Sequence, residues 1–147
     1  MTALNLTKEF PRLLRSHYAV TSPSTPQYNC IGWALGDNQH FWWPRLDTFW
    51  PADIPRHVTI AAFTALLSSH GFEECSSEDL ELEVEKVALF VSAQGAPTHA
   101  ARQLGSGMWT SKLGSNVDIA HELRGLEGKA YGRAMLIFSR ARRPPPR

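Results

Sequence analysis

The second half of the chain contains the stretch VEKVALFV, residues 84–91, which alternates at first and ends in an apolar run. This pattern predicts a buried β-strand. A turn is indicated by GAP at 95–97, and GSG at 105–107 separates two short segments, 98–104 and 108–113, as in a β-hairpin. With AMLIF at 134–138 as a last strand, these segments predict an antiparallel sheet.

Helices are predicted mainly upstream of this sheet. Residues 7–16 predict a short helix, limited to its first turns by Pro11. The stretch NCIGWALG at 29–36 predicts two helical turns with Asn29 as N-cap. A longer helix is expected over 59–71, where apolar residues recur at helical spacing.

One late helix is expected over about 116–124, because Ser115 and Asp118 have the spacing of a capping box. Residues 21–28 contain two prolines and indicate a loop. The order of helices first, then an antiparallel sheet with a late helix, predicts an α+β fold.

The composition fits one soluble domain. The chain has 147 residues, of which 43% are hydrophobic, and its formal net charge is +1. This charge argues against broad electrostatic capture of nucleic acid or of an acidic membrane. We predict one domain over 1–139 and a flexible basic, proline-rich tail over 140–147.

Acidic residues are concentrated between Glu73 and Glu85, where seven of the 14 acids lie. Such a run is usually a solvated surface, and here it could also receive a protein partner. No stretch has the length of a signal peptide or a membrane span, so we expect a cytoplasmic protein or one exported by a leaderless route.

Cys30 is the first candidate for chemistry. It would lie in the first turn of a helix, where free N–H groups favour the thiolate and can hold an oxyanion. The alternative is a buried cysteine that acts as a small hydrophobic residue. The only other cysteine is Cys75, which excludes a disulfide-dense scaffold and a four-cysteine metal site.

A thiol nucleophile needs a base, and His99 at the start of a predicted strand is the candidate. The alternative interpretation is that His99 is a partly buried histidine with a structural role only. Ser111 on the facing strand is the predicted third member of the site, with Asp118 and His121 as alternatives. His121 could instead tie a helix to the sheet by one hydrogen bond.

The segment NCIGWA at 29–34, followed by THA at 98–100 on a strand, resembles the papain-like fold of small bacterial cysteine amidases of the NlpC/P60 and CHAP groups. A group of uncharacterised small bacterial proteins with this fold is also similar over about residues 28–138. The resemblance implies a nucleophile helix packed on a small antiparallel sheet, with Cys30 as nucleophile and His99 as base. The usual second histidine soon after the first is replaced here by Ser111 or Lys112.

The function expected from these residues is thiol-dependent hydrolysis of an amide bond, with no cofactor and no metal. The N–H of Cys30, with Asn29 or Gln27, would hold the oxyanion. The resemblance implies a peptide or amino-sugar peptide as substrate. The same dyad could perform deamidation or transglutamination, and the alternative class is a catalytically silent binding module.

Aromatic residues are dense before the middle of the chain, where four of the five tryptophans fall between Trp33 and Trp50. Trp33, Trp42 and Trp43 could bind substrate beside the thiol. The alternative is that they form the core of a segment with little regular structure, since tryptophan buries a large area.

Overall fold

A computed structural model describes residues 5–142, which form one seven-stranded sheet with every neighbouring pair of strands antiparallel. The strands lie in the order β1-β6-β5-β4-β3-β7-β2. Their bounds are β1 Tyr18–Ser22, β2 Glu73–Cys75, β3 Val84–Val91, β4 Pro97–Gln103, β5 Trp109–Lys112, β6 Asp118–His121 and β7 Arg133–Ala141.

The strands predicted from the second half of the chain are confirmed. β3 has the predicted bounds, and it is paired along its length with β7 and with β4. The predicted hairpin forms between β4 and β5, and its turn contains Gly107 at φ +91, a conformation that glycine adopts without strain. β3 therefore lies inside the sheet, as its apolar run indicates.

The helices are short. α1 spans Leu6–Glu9, α2 Cys30–Ala34 and α3 Ile60–Ser69, and two 3-10 helices span Pro11–Arg15 and Leu123–Leu126. The predicted helices at 29–36 and 59–71 are confirmed as α2 and α3. Their N-caps, Asn29 and Thr59, accept hydrogen bonds from backbone N–H groups as expected.

The sheet has two covered faces. One, which we call the α3 face, packs against α2, α3 and the aromatic segment 41–54, and its sheet residues are Val87, Leu89, Val91, Ala100 and Phe138. The other, which we call the N-terminal face, packs against the two 3-10 helices, and its sheet residues include Ala88, Phe90, Ala101, Trp109 and Ile119. Neighbouring residues of a strand point to opposite faces, so each strand contributes to both cores.

The predicted papain-like α+β class is wrong. The structure is a β-rich fold in which one seven-stranded antiparallel sheet is the framework. Cys30 begins a helix of only five residues, and α3 is the longest helix of the described chain with ten. The sheet is larger than expected because β1, β2 and β6 come from segments in which no strand was predicted.

The late helix expected over 116–124 is also wrong. Asp118–His121 forms β6, which pairs with β5 on one side and with β1 on the other. Ile119 and His121 are fully buried on one face, and the hydrogen bonds of two neighbouring strands outweigh the local capping signal. Only the following residues, Leu123–Leu126, are helical.

The last strand of the sheet continues into the segment that was predicted to be a flexible tail. β7 continues to Ala141, and Arg140 forms an ion pair of 2.6 Å with Glu85 on β3. Arg140 and Ala141 therefore belong to the sheet. The Arg142 N–H donates to the Glu83 carbonyl at 2.8 Å, and residues 143–147 of the predicted tail lie outside the described residues.

Within the acidic segment, three carboxylates form ion pairs with basic residues of the same chain. The pairs are Glu78–Arg124, Glu81–Lys86 and Glu85–Arg140. Lys86 is fully buried, and its ammonium also donates to the backbone oxygens of Ser77 and Asp79. These contacts of Lys86 fix the loop that leads into β3, and the ion pairs neutralise part of the negative charge of the acidic segment.

The sheet opens between β4 and β5. These strands pair only through Arg102↔Thr110 and Gln103↔Trp109. Of the first five residues of β4, all but Thr98 pair with β3, and none pairs with β5. Helix α2 contacts both strands at this opening. The opening places the first turn of α2, and therefore Cys30, against the backbone of β4.

We predict that Gly32 is required for the packing of α2. A Cβ at this position would lie 2.8 Å from the carbonyl oxygens of Asp37 and His40, closer than such atoms can approach. Gly32→Ala should lower the free energy of unfolding by about 2–3 kcal/mol, measured by urea denaturation.

The control for this prediction is Gly105→Ala in the β4–β5 turn, where a Cβ would meet no atom within 4 Å. Its stability should stay within about 0.5 kcal/mol of the wild type. Equal stability of the two variants would show that the loop after α2 does not pack closely on Gly32.

Candidate functional site

Cys30 lies beside a cavity at the open edge between β4 and β5. The side chain is 5% exposed and is the first residue of α2. The cavity has a volume of about 250 Å³, and the residues that line it are Asn29, Cys30, Phe41, Trp43, Arg45, Thr98, Gly114 and Tyr131. This volume is slightly below the usual range for a drug-sized ligand, so it suits one residue of a larger substrate.

Burial dominates the electrostatics of the Cys30 thiol and raises its pKa to about 11. The nearby backbone N–H groups of Ala100, Ile31 and Cys30 itself act in the opposite direction and lower the pKa of the thiol. The nearby Lys112 ammonium lowers it as well. The thiol is therefore neutral at pH 7, but it lies among groups that stabilise negative charge.

Lys112 lies on the same side of the sheet as Cys30 and is fully buried. Its ammonium donates to the backbone oxygens of Thr25, at 2.7 Å, and Gly114, at 2.6 Å. Burial lowers the pKa of Lys112, and the nearby Asp118 and Cys30 act in the opposite direction. Lys112 thus fixes the loop before α2 to the strand end that lines the cavity.

Asp118 is fully buried beside Lys112, its register partner in the β5–β6 pair. Its carboxylate accepts hydrogen bonds from the Tyr28 hydroxyl, at 2.9 Å, and from the Thr21 hydroxyl. These bonds attach the segment before α2 to β6. Asp118 therefore fixes the position of the segment that leads into α2.

His99 belongs to the other side of the sheet. It precedes Ala100, which packs with Cys30, and alternation directs the two side chains to opposite faces. The His99 ring stacks on Tyr131 with a centroid distance of 4.1 Å and meets the edge of Phe90 at 5.2 Å. It is fully buried, and both of its ring nitrogens lack a hydrogen-bond partner in the described part of the chain.

Ser111 and His121 lie on the N-terminal face with His99. The Ser111 hydroxyl and His121 Nε2 are 2.7 Å apart, and His121 Nδ1 lies 2.8 Å from the backbone oxygen of Glu122. Since that oxygen can only accept, Nδ1 carries the proton and Ser111 donates to Nε2. Burial lowers the pKa of His121 to about 4, and burial with the nearby His121 lowers the pKa of His99 well below its usual value.

The predicted residues are thus divided between the two faces. Cys30 and Asp118 lie on the α3 face, and His99, Ser111 and His121 lie on the N-terminal face. Ser111 bonds His121 rather than His99. Tyr131 is the link between the two groups, because its ring stacks on His99 and also lines the Cys30 cavity.

The residues predicted to hold an oxyanion have other contacts. Asn29 accepts from the backbone N–H of Trp42 at 2.9 Å and donates to its carbonyl oxygen at 2.7 Å, so its side chain attaches the aromatic segment to α2. The exposed Gln27 donates to Gln39 at 3.1 Å. The N–H groups nearest the sulfur are instead those of Cys30, Ile31 and Ala100.

Of the three tryptophans predicted to bind substrate, Trp43 lines the cavity. Trp33 donates from its indole N–H to Thr110 at 2.9 Å and stacks on Tyr28. Trp42 is 7% exposed and packs in the core against Phe49. Arg45, Thr98 and Tyr131 also line the cavity and were not predicted from the sequence. Of these, only Thr98 had a signal, because alternation along the strand places it on the face of Ala100.

Residues 5–142 contain no group of three or more His, Cys, Asp or Glu side chains able to hold a metal ion. No helix in that range is long and apolar enough to span a membrane.

The buried imidazole of His121 predicts a loss of stability in acid. Its folded pKa of about 4 lies below the unfolded value of 6.5, so the unfolded chain binds the proton more tightly. Stability should therefore fall as the pH falls from 6.5 to 4, with about 1.4 kcal/mol per pH unit due to this residue. His121→Gln should reduce the slope by that amount, measured by urea denaturation across this range.

The control variant is His57→Gln, which removes an exposed histidine away from His99, Ser111 and His121. If the stability of wild type and His121→Gln changed in parallel between pH 4 and 6.5, His121 would not be held neutral by burial.

Comparison with known proteins identifies the family to which the chain belongs. No curated protein and no solved structure matches the chain. A family model described as a domain of unknown function, DUF7689, matches residues 19–139, which include β1, both sides of the Cys30 cavity and most of β7. Since the match covers most of the 147 residues, the chain belongs to the DUF7689 family.

Proposed function

We propose that the protein is a thiol-dependent hydrolase of amide bonds, with Cys30 as the nucleophile. The observation that carries this proposal is the position of Cys30, which borders a cavity from the first turn of α2, near the backbone N–H groups of Ala100 and Ile31. These donors, with the Lys112 ammonium, stabilise negative charge at the position where a thiolate attacks and an oxyanion develops. The proposal rests on this local arrangement and not on the fold.

In this proposal His99 is the base. Burial keeps its ring neutral, and a neutral imidazole with no internal hydrogen bond is free to accept a proton. His99 is adjacent to Ala100, which packs with Cys30, and β4 has no β5 partner at this position. Because the His99 ring lies on the opposite face of β4 from Cys30, proton transfer requires the imidazole to leave its stack on Tyr131 and approach the thiol where β4 has no β5 partner.

The reaction then proceeds by acyl transfer. His99 takes the thiol proton as the sulfur attacks the carbonyl carbon, and the backbone N–H groups stabilise the oxyanion. The C–N bond breaks as His99 returns the proton to the leaving amine, which leaves a thioester on Cys30. Water attacks this thioester with His99 as base, so the acid leaves and the thiol is restored. An amine in place of water would give transglutamination.

The substrate in this proposal is a peptide or amino-sugar peptide. Phe41, Trp43 and Tyr131 are half-buried aromatic rings at the cavity, and such rings bind apolar groups and sugar faces at low entropic cost. Trp43 is held in place by an edge contact of 5.3 Å with Phe63 on α3.

A second candidate is a binding module without turnover. Two observations favour it: the thiol pKa is raised to about 11, and His99 makes no hydrogen bond to Cys30. In that case the cavity would hold a ligand, and Cys30 would be a packed residue of its lining.

Alkylation of Cys30 by iodoacetamide separates these two functions. A base that takes the thiol proton makes Cys30 reactive well below its pKa of about 11. We expect labelling at pH 7–8 in the wild type, and His99→Ala should reduce the rate about tenfold or more. Mass spectrometry measures the rate at Cys30, with the half-buried Cys75 of the same molecule as reference.

The control variant is Ser111→Ala, which changes a polar residue of the same face that bonds His121. Labelling of Cys30 should persist in this variant. Equal labelling in wild type and His99→Ala, with a midpoint near pH 11, would favour the binding module over the hydrolase.

A further inference from the structure

A second cavity, of about 610 Å³, lies on the N-terminal face of the sheet. On one side it is bounded by the two 3-10 helices, and on the other by the segment 78–80 with the end of β4 and the start of β5. None of its lining residues lines the Cys30 cavity. Its volume is in the range of sites that bind small organic ligands.

Charges of opposite sign lie on the two sides of this cavity. The side of the 3-10 helices carries three arginines and one carboxylate, and the segment 78–80 carries two carboxylates; these residues are Arg12, Arg15, Arg124, Glu122, Glu78 and Asp79. Positive and negative groups are equal in number, so a ligand with a net charge gains little from the site. A ligand that is positive at one end and negative at the other is complementary to both sides.

One charged group on each side has no partner. The other two arginines form the ion pairs Arg12–Glu127, Arg124–Glu127 and Arg124–Glu78. Within residues 5–142, no ion pair involves the exposed Arg15 guanidinium or the exposed Asp79 carboxylate. The backbone of Asp79 is fixed, because its carbonyl oxygen accepts from the buried Lys86 ammonium at 2.7 Å.

The side chain of Gln103 adds a hydrogen-bond acceptor on the Asp79 side. It is 7% exposed and lines the cavity, and its Nε2 donates to the Glu78 carbonyl at 2.9 Å. Since that carbonyl can only accept, the orientation of the amide is fixed. The remaining atom, Oε1, is buried and has no hydrogen-bond partner among the described residues. An unpaired buried acceptor is unfavourable, so an N–H group that enters from the cavity is stabilising.

The lining between the two charged sides is apolar. Trp109 and Leu123 are buried there, Met108 is half-buried, and Leu80 is exposed. An aliphatic side chain of a ligand would bury apolar area against these residues.

We propose that this cavity binds a short peptide with free termini. Its ammonium group pairs with Asp79 and donates to Gln103 Oε1, and its carboxylate pairs with Arg15. A guanidinium binds a carboxylate through two parallel N–H groups, which also orients the peptide. The two charges of a single amino acid are on one carbon, whereas this volume accommodates about two to three residues with a terminus on each side. The inference does not depend on the proposed function of Cys30.

The tripeptide Ala-Leu-Ala is the probe, because it has free termini and a central aliphatic side chain. Its binding is measured by NMR titration of the nitrogen-labelled protein. We expect a dissociation constant on the order of 0.1–1 mM, with shifts of the Gln103 side-chain amide and the Trp109 indole N–H. N-acetylation or C-terminal amidation of the peptide should each weaken binding about three- to fivefold.

Two variants assign the two ends of the peptide. Arg15→Gln should bind Ala-Leu-Ala and its C-terminal amide equally, yet still prefer the free ammonium group. Asp79→Asn should lose the preference for the ammonium group and retain that for the carboxylate. The matched controls are Arg133→Gln and Asp53→Asn, which change exposed residues that do not line this cavity and should keep both preferences.

Cys30→Ala should leave the dissociation constant unchanged, so the fate of the thiol chemistry does not decide this site. The peptide site is wrong if blocking either terminus leaves the affinity unchanged, or if Arg15→Gln and Asp79→Asn behave as their controls do. It is also wrong if the shifts occur at the Trp43 indole of the Cys30 cavity, or if no shift is seen at about 10 mM peptide.

Discussion

The alternation of side chains along β4 determines how the candidate site is arranged. His99 and Ala100 are neighbours in the sequence, yet one side chain enters the core of the N-terminal face and the other packs beside Cys30. Because a sheet residue cannot change face without a shift in register, the thiol and the imidazole start on opposite sides of one strand. Next to these two residues β4 has no β5 partner, since the β4–β5 pairing is limited to Arg102 and Gln103.

Buried polar residues hold the segments around this opening. Lys112 and Asp118 are fully buried, and each bonds to the chain before α2, through Thr25 in one case and Tyr28 in the other. A buried charge without partners would cost several kcal/mol, so these contacts strongly favour one placement of α2. Asn29 completes the arrangement by joining the aromatic segment to the same helix.

The two ionisable groups of the proposed reaction are both held neutral. Burial raises the pKa of the Cys30 thiol and lowers that of the His99 imidazole, so neither is charged at rest near pH 7. Chemistry between such groups begins with a proton transfer and not with a preformed ion pair. In the proposed reaction, the nearby backbone N–H groups would stabilise the charge as it develops.

The elements with local signals follow from the sequence alone. The apolar run of β3, the hairpin at Gly107 and the capped helices α2 and α3 each follow from a few adjacent residues, and all are present. The sequence also indicated Cys30 at the start of a helix, because Asn29 is an N-cap before an apolar segment. That 118–121 is a strand depends on tertiary contacts, since β1, one of its two partners, is distant in sequence. The tertiary structure also decided that Arg45 and Tyr131, 86 positions apart, line the same cavity as Cys30, because no local pattern records which segments the sheet brings together.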